Sequence, residues 1–351
     1  MFSQKDIQLI RSQSREIESS GELTREILEL IYEKKLFKLF VPNELNGNMT
    51  PFPEAIKIFE DAAYIDGSFG WLVQIGSGAG FFVTTMNPKV AKDIFSKRDI
   101  YIAGSDRPSG TARKVDGGYI VNGEWKFASG SKNATIFTAN CQIEVDGEIV
   151  GMAKAFTFTA EQVEIIEDWE AFGLKGTNSH TFRVQDVFVP EEYTFDVMKP
   201  HFHYDDPVYH YPFLPFSVAN IASTTIGIAK HFFEEARAYA GKKKETWDPN
   251  RYETVIEKIK QSEQPYIKDV QAFYQSIEQS WDTHLNGETV TDDQLIDIMT
   301  KSQEVAHSAV SGAQVIFRYL GMDAIMESTE LNRIYRDLHT ASQHKLLVSY
   351  E

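Results

Sequence analysis

The chain has 351 residues, of which 42% are hydrophobic and 13% aromatic, so it is long enough to build more than one packed core. Its formal charge of −16 argues against a nucleic-acid or anionic-membrane partner, because both need a basic surface. The single cysteine, Cys141, excludes an internal disulfide framework and permits a reducing compartment. With no apolar stretch near the roughly 20 residues that span a bilayer, we expect a cytoplasmic protein.

The first 99 residues are predicted to form a helical domain. Apolar residues recur at spacings near three and four from residue 4 to residue 36. Gly21 and Thr24 indicate a helix end and a new N-cap inside this stretch. Further helices are predicted at 51–66, at 87–99 and in the apolar, glycine-rich segment 67–86, which should be buried.

Residues 100–198 have the pattern of a β domain. β-branched and aromatic residues dominate and alternate, and turn sequences recur at DGGY (116–119), VNGE (121–124) and VDGE (145–148). Short strands at this spacing are typical of a sandwich or a barrel.

Residues 199–351 are predicted to form a four-helix bundle. After the linker HFHYDDPVYHYPF (201–213), the helical period returns at about 214–243, 250–286, 291–322 and 327–350. The histidines and aspartates of the linker could ligate a metal, but a solvated loop is the favoured interpretation and no metal is expected. The fold class is therefore α+β, with domains at 1–99, 100–198 and 199–351.

Five segments, in this order, resemble motifs of the acyl-CoA dehydrogenase superfamily. They are GELTREILELIYEKKLFKLFVPNELNG (21–47), DAAYIDGSFGWL (61–72), DGGYIVNGEWKFASGSKNA (116–134), WEAFGLKGTNSHTFRVQDVFVPEE (169–192) and GAQVIFRYLG with LNRIYRDL (312–338). Each is weak alone, but together they cover nearly the whole chain. The resemblance implies a flavin held between the β domain and the bundle, and a homotetramer or homodimer.

The chemistry of the strand end at 125–130 also suits a flavin. An isoalloxazine ring needs an apolar slot, aromatic carbon and a few hydrogen-bonding groups. Trp125 and Phe127 alternate with Lys126, so both should face one way; the alternative is that they form the core face of the strand. Ser129 is expected near the flavin N5, with the backbone N–H of Gly130 beside the ring. The resemblance implies further flavin contacts at Gly104, Ser105, Thr177 and Ser179.

Two departures from the dehydrogenase pattern concern the catalytic base and the cofactor tail. The family's carboxylate base falls here at Lys345 or, alternatively, near Ser217, and neither residue is a carboxylate. The family's arginine for the FAD pyrophosphate is replaced by a stretch that begins at Lys243, which neutralises phosphate without a bidentate fork. FMN is therefore as plausible as FAD.

The branch that fits both departures is that of the two-component flavin monooxygenases. The chain resembles them in RDLHTASQH (336–344) and GEWKFASG (123–130), which implies catalytic roles for His344 and Ser129. In these enzymes a partner reductase supplies reduced flavin, which reacts with O2 while the protein shields it from water; a histidine with a pKa near neutrality suits this task. On a continuous helix His339 lies about 140° from His344, so it should pack on the bundle or at a subunit interface.

The sequence supports three candidate functions. A flavin-dependent monooxygenase acting on a small apolar or aromatic molecule is favoured. The alternatives are an acyl-CoA dehydrogenase-like flavoprotein that oxidises a CH–CH bond with another base, and a catalytically silent binding member of the family. The segment 74–82 offers only Gln74 and Ser77 where such monooxygenases often have another polar residue or histidine, so the type of oxygenation stays open.

Overall fold

The N-terminal region is helical, and the computed structural model describes residues 1–201 and 203–349 of the chain. Its helices are α1 (Gln4–Ser20), α2 (Arg25–Glu33), α3 (Phe52–Ile65), α4 (Gly67–Gly78) and α5 (Pro88–Phe95). α1 ends at Gly21, whose left-handed backbone (φ 74°) suits glycine, and Thr24 caps α2 through its side chain. The predicted break at these two residues is confirmed.

α4 is enclosed by protein on nearly every side, as its apolar sequence predicts. Asp66 caps its N-terminus, where the carboxylate accepts the N–H of Phe69 at 3.0 Å. Gly70 permits close packing on α3, since a Cβ there would lie 2.3 Å from Cα of Ala63. The chain continues as a 3₁₀ helix, Ala79–Thr84, so the final part of the predicted helix has the tighter form.

The central region is one seven-stranded sheet. Its strands are β1 (Ile102–Val115), β2 (Gly118–Ala128), β3 (Ile136–Val145), β4 (Glu148–Thr159), β5 (Glu164–Ile166), β6 (His180–Pro190) and β7 (Thr194–Phe195). Their order in the sheet is β5-β6-β2-β1-β3-β4-β7, with β1 and β3 parallel and the other neighbours antiparallel. Register shifts interrupt β1 between Ser105 and Gly110, and β2 between Trp125 and Ala128. Such irregularities change which side of the sheet the next side chains face.

The C-terminal region contains a short helix and four longer ones. They are α6 (Pro207–His210), α7 (Phe213–Lys243), α8 (Pro249–Leu285), α9 (Asp292–Leu320) and α10 (Glu330–Ala341). The first three long helices match their predicted bounds within two residues. α7 is buried along most of its length and packs against α3 and α9.

The predicted helix 327–350 is too long, because α10 already ends at Ala341. The N–H groups of Gln343 and His344 bond to Thr340 and Ala341, three residues back rather than four, which tightens and then ends the helix. His344 itself has extended backbone (φ −61°, ψ 131°). The predicted end, residue 350, lies outside the described residues.

None of the helices in 1–201 and 203–349 combines the length and the apolar character needed to cross a membrane. Over that part of the chain, no group of three or more His, Cys, Asp or Glu side chains is arranged to hold a metal ion.

Candidate functional site

Two cavities meet where the sheet adjoins the helical regions. The larger, about 790 Å³, is lined by His339 and His344 and is here named the histidine cavity. The smaller, about 550 Å³, is lined by Gln74 and Asn220 and is named the carboxamide cavity. Both volumes are in the range of small-molecule sites. The wall that the cavities share consists of Ile75, Gly104, Ser105 and Asp106.

Three hydroxyl groups form a directed hydrogen-bond chain on the wall of the histidine cavity. Thr177 donates its proton to the carbonyl oxygen of Leu174 at 2.8 Å, so Ser179 must donate in its own 2.8 Å contact with Thr177. Ser129 then donates to Ser179, also at 2.8 Å. The oxygen of Ser129 accepts the indole N–H of Trp71 at 3.0 Å. Because a hydroxyl oxygen has two lone pairs, Ser129 keeps one acceptor position and no free proton.

The prediction that Trp125 and Phe127 face one way is wrong. The register shift that follows Trp125 breaks the alternation, and Phe127 has a φ of 67°. Trp125 is fully buried in the sheet core, where its ring stacks on Phe182 at 5.1 Å and its indole N–H donates to the carbonyl of Asn140 at 3.0 Å. Only Phe127 lines the histidine cavity, with 55% of its surface exposed. The alternative interpretation, that both residues form the core face of the strand, is correct for Trp125 but not for Phe127.

Phe127 belongs to an aromatic wall that also contains Trp169 and Phe172. The rings of Phe127 and Trp169 meet edge to face, with centroids 6.2 Å apart. The indole N–H of Trp169 donates to the carbonyl of Leu174 at 3.1 Å, which fixes the orientation of that ring. Exposed aromatic carbon inside a cavity suits a planar ligand.

Two other residues predicted to bind flavin are absent from the lining of the histidine cavity. The N–H of Gly130 donates to the carbonyl of Thr177 at 2.7 Å and is therefore not available to a ligand. Gly130 is needed for packing, since its backbone is left-handed (φ 76°) and a Cβ would lie 2.3 Å from the Tyr101 ring. Lys243 lies at the end of α7, where its ammonium contacts Asp323 at 2.7 Å. Within one chain, neither residue reaches the site.

His344 lines the histidine cavity from the N-cap position of a short 3₁₀ helix, beyond the end of α10. Its Nδ1 accepts the N–H of Leu346 at 3.3 Å, at the start of the 3₁₀ helix Lys345–Leu347. The proton of the neutral ring therefore sits on Nε2, which becomes a hydrogen-bond donor. Desolvation by the surrounding protein lowers the pKa of His344 to about 4. The ring is therefore uncharged at neutral pH.

His339 lines the same cavity, which corrects the prediction that the two rings face apart. That prediction assumed a helix running through His344, but α10 ends earlier. The ring of His339 does pack on the bundle, 4.3 Å from Tyr335. Its Nε2 is buried without a hydrogen-bond partner among the described residues, and burial lowers its pKa. His339 thus brings a buried ring nitrogen without a partner next to the histidine cavity.

The carboxamide cavity combines aromatic walls with two amides. Four phenylalanines belong to the apolar lining: Phe82, Phe195, Phe213 and Phe216. Gln74 comes from α4 and Asn220 from α7, and they are 4% and 1% exposed. Ser77, the other polar residue noted on α4, points elsewhere, since its hydroxyl donates to the carbonyl of Leu36. Sequence reasoning missed Asn220, although a lone amide within the apolar run FSVANIAS (216–223) was a usable signal.

Neither position of the dehydrogenase base carries a carboxylate in the cavities. Ser217 lines the carboxamide cavity and Lys345 the histidine cavity. The carboxylates on the walls are Asp106 and Asp196, and each is engaged by a lysine. Asp106 pairs with Lys345, and Asp196 pairs with Lys199 at 3.2 Å. Neither is a buried, unpaired base.

A buried arginine connects the two sides of the histidine cavity. One Nη of Arg333 donates to Asp66 at 2.7 Å and to Asp337 at 3.2 Å. Asp66 caps α4, which carries Trp71, while Asp337 accepts the backbone N–H of Leu174 at 2.6 Å. All three side chains are at most 5% exposed. This network holds α4 and the segment that carries Thr177 against α10.

Comparisons with known proteins agree with this geometry. Residues 219–349 match the family model described as acyl-CoA dehydrogenase, C-terminal domain. The chain is 26% identical over 347 residues to indole-3-acetate monooxygenase of Pseudomonas putida, which covers 97% of this chain and 88% of that protein. It is 24% identical over 358 residues to the flavin-dependent monooxygenase, oxygenase subunit HsaA, of Rhodococcus jostii, with coverages of 95% and 91%.

A solved structure extends the comparison to the whole fold. The crystal structure of 3-HSA hydroxylase from Rhodococcus sp. RHA1 matches with a TM-score of 0.89 at 22% identity, over 97% of this chain and 90% of that chain. The arrangement of helical region, sheet and bundle is thus shared. Residues 219–349 are thus similar to the C-terminal domain of acyl-CoA dehydrogenases, and the chain is similar over nearly its whole length to flavin-dependent monooxygenases.

Proposed function

We propose that the chain is the oxygenase component of a two-component flavin monooxygenase. It takes reduced flavin from a reductase into the histidine cavity and oxygenates a small aromatic or apolar molecule in the carboxamide cavity. The observation that carries this proposal is the shared wall at Ile75 and Gly104–Asp106, which brings two ligand-sized cavities together without an unpaired carboxylate base. A dehydrogenase would need such a base.

The residues of the histidine cavity fit a flavin. The aromatic wall of Phe127, Trp169 and Phe172 would hold the ring system. The unpaired Nε2 of His339 lies next to the cavity and could form a hydrogen bond with a polar atom of the cofactor. Three cations also line the cavity and would suit a phosphate: Arg107, Lys126 and Lys345. When bound, reduced flavin supplies the electrons that activate O2.

The positions of the cations bear on which flavin binds and on whether a second copy of the chain completes the site. The three cations would serve the phosphate that FMN and FAD share, so both remain candidates. Lys243 is absent from the lining of its own chain's cavity, so it would meet a longer FAD tail only in another copy of the chain. A homotetramer or homodimer would allow this contact.

The chain's own groups would divide three tasks. Ser129 would accept a hydrogen bond from a ring N–H group of the cofactor, because it has an open lone pair and no free proton. His344 would donate from Nε2 as a neutral ring. The indoles of Trp71 and Trp169, each fixed by a hydrogen bond, would exclude water from the reacting atoms.

The role of Ser129 predicts a preference for reduced flavin. N5 of the flavin carries a proton only in the reduced form, so Ser129→Ala should weaken anaerobic binding of reduced FMN about 10-fold and of oxidised FMN less than about twofold. Titrations of both forms measure this. Ser131→Ala is the matched control, since Ser131 is also buried but bonds to the carbonyl of Asn178. Equal weakening of both redox forms would refute the role.

Oxygen labelling tests the function itself. We expect the protein, given ¹⁸O2 and reduced FMN or FAD, to place a labelled oxygen atom in an aromatic substrate. Indole is the first candidate, since it is the ring system in the name of one relative, indole-3-acetate monooxygenase. Reactions without protein should give only hydrogen peroxide. Bleaching of protein-bound oxidised FAD by an acyl-CoA, with no labelled product, would favour the dehydrogenase alternative; failure to bind flavin in either redox state would favour a silent binding protein.

A further inference from the structure

The two amides of the carboxamide cavity have unmet hydrogen-bonding capacity. Gln74 Oε1 and Asn220 Oδ1 are buried and have no partner in the described part of the chain. A buried amide oxygen that lacks a partner costs free energy, and native proteins rarely leave one in this state. Both residues line the cavity, and a half-turn of an amide exchanges its oxygen and nitrogen. A ligand with an N–H or O–H group would supply what is lacking.

The amides flank one small gap between α4 and α7. A Cβ on Gly78 would lie 3.7 Å from Nε2 of Gln74 and 3.9 Å from Nδ2 of Asn220. Because Gly78 has no side chain, nothing from that residue covers the two amides. As placed, the amide nitrogens lie beside this gap; after the half-turn the two oxygens take those positions and can accept a hydrogen bond from an N–H or O–H group of a ligand.

The charge of the cavity selects an uncharged polar group. Among the described residues that line it, Lys199 is the one cation. Its side chain is 73% exposed and pairs with Asp196 at 3.2 Å, so it offers no buried charge to an anion. An anionic group placed beside the amides would find at most neutral N–H donors and no buried cation to offset its desolvation. The rest of the wall, with Phe82, Phe195, Phe213 and Phe216, suits an aromatic ring.

We propose that Gln74 and Asn220 are the specificity-determining pair for substrates that present an uncharged N–H or O–H on an aromatic ring. The pair accepts this proton and thereby orients the ring against the wall shared with the histidine cavity. That such a ligand is a substrate rests on the proposed function; the binding preference does not.

Ligand binding without turnover tests the pair. Indole and benzothiophene have nearly the same bicyclic shape, but only indole has an N–H. Anaerobic calorimetry on the full chain should show indole binding about 10- to 100-fold more tightly. Gln74→Met and Asn220→Leu keep the approximate side-chain volume and should each remove most of this preference, while benzothiophene binding changes less than about threefold. Ile221→Val, in the same cavity, is the control and should weaken both ligands alike.

Stability gives a second, independent measurement. If the amides serve a ligand, then Gln74→Met and Asn220→Leu remove unpaired buried polar atoms, and the thermal midpoint of the ligand-free protein should stay the same or rise. A fall in the midpoint together with an unchanged indole preference would show a structural role and overturn the proposal. Absence of binding of both probes by the unmodified chain would also overturn it.

The outcomes separate this inference from the proposed function. A clear N–H preference without any oxygen incorporation would leave the binding pair intact and remove the monooxygenase. Oxygen incorporation without an N–H preference would support the monooxygenase and overturn the proposed role of the amide pair.

Discussion

Replacing His344 by alanine should lower product formation about 100- to 1,000-fold, the usual effect of removing a donor from a closed active site. The affinity for reduced flavin should stay within roughly threefold, because the aromatic wall and Ser129 remain. The reduced flavin should then reduce O2 to hydrogen peroxide instead of oxygenating the substrate. The measurement is the ratio of oxygenated product to peroxide at a fixed supply of reduced flavin. Full product formation by His344→Ala would refute the role.

Two conservative variants separate the functions of the two ring nitrogens. His344→Asn can still accept the N–H of Leu346 and cap the 3₁₀ helix, but it lacks a donor at the position of Nε2. His344→Gln places an amide N–H near that position and gives up the cap. Recovery of product with Gln but not with Asn would identify the donor as the essential group. Replacing His307, an exposed histidine on α9, by alanine is the control.

The pKa of His344 predicts the pH dependence of this ratio. Since desolvation lowers the pKa to about 4, the ring is neutral throughout the physiological range. The product-to-peroxide ratio should be flat between about pH 5.5 and pH 8. A bend near pH 6.5 that disappears in His344→Gln would mean that the charged ring is the working form.

Replacing Arg333 by methionine should give the largest loss of stability, about 3–5 kcal/mol in the free energy of unfolding. The substitution leaves the carboxylates of Asp66 and Asp337 buried beside each other without their cation. Urea denaturation of the flavin-free protein measures the effect. If the variant is too unstable to purify, the triple variant Asp66→Asn, Arg333→Met, Asp337→Asn should recover much of the loss, because no buried charge is left unpaired.

An exposed ion pair provides the matched comparison. Arg98 contacts Glu29 at 2.9 Å, with both side chains about half exposed. Arg98→Met should change the unfolding midpoint far less, since solvent already screens that pair. Similar losses for the two arginine variants would contradict the assignment of Arg333 as the support of the site.

Local signals in the sequence predicted much of the fold. Gly21 and Thr24 predicted a helix break because one suits left-handed backbone and the other accepts a backbone N–H. The motifs also indicated Ser129, Thr177 and Ser179, which the structure brings into one hydrogen-bond chain.

The predictions of side-chain direction failed where the backbone departs from the regular period of a strand or a helix. The alternation of Trp125 and Phe127 fails at a register shift that no residue pattern announces. The angle between His339 and His344 fails because α10 ends between them. The low pKa of His344 depends on protein packed around it from distant parts of the chain, such as Trp71, whose ring centroid lies 6.1 Å away.

The position of α4 has a thermodynamic consequence. Trp71 and Gln74 lie about one helical turn apart on this helix, one bonded to Ser129 beside the histidine cavity and the other lining the carboxamide cavity. Any adjustment of α4 to an occupant of one cavity therefore changes the fit of the other. By reciprocity, the factor by which the first ligand alters the affinity of the second equals the factor by which the second alters the first. Cofactor and substrate would then be cooperative ligands of a single helix.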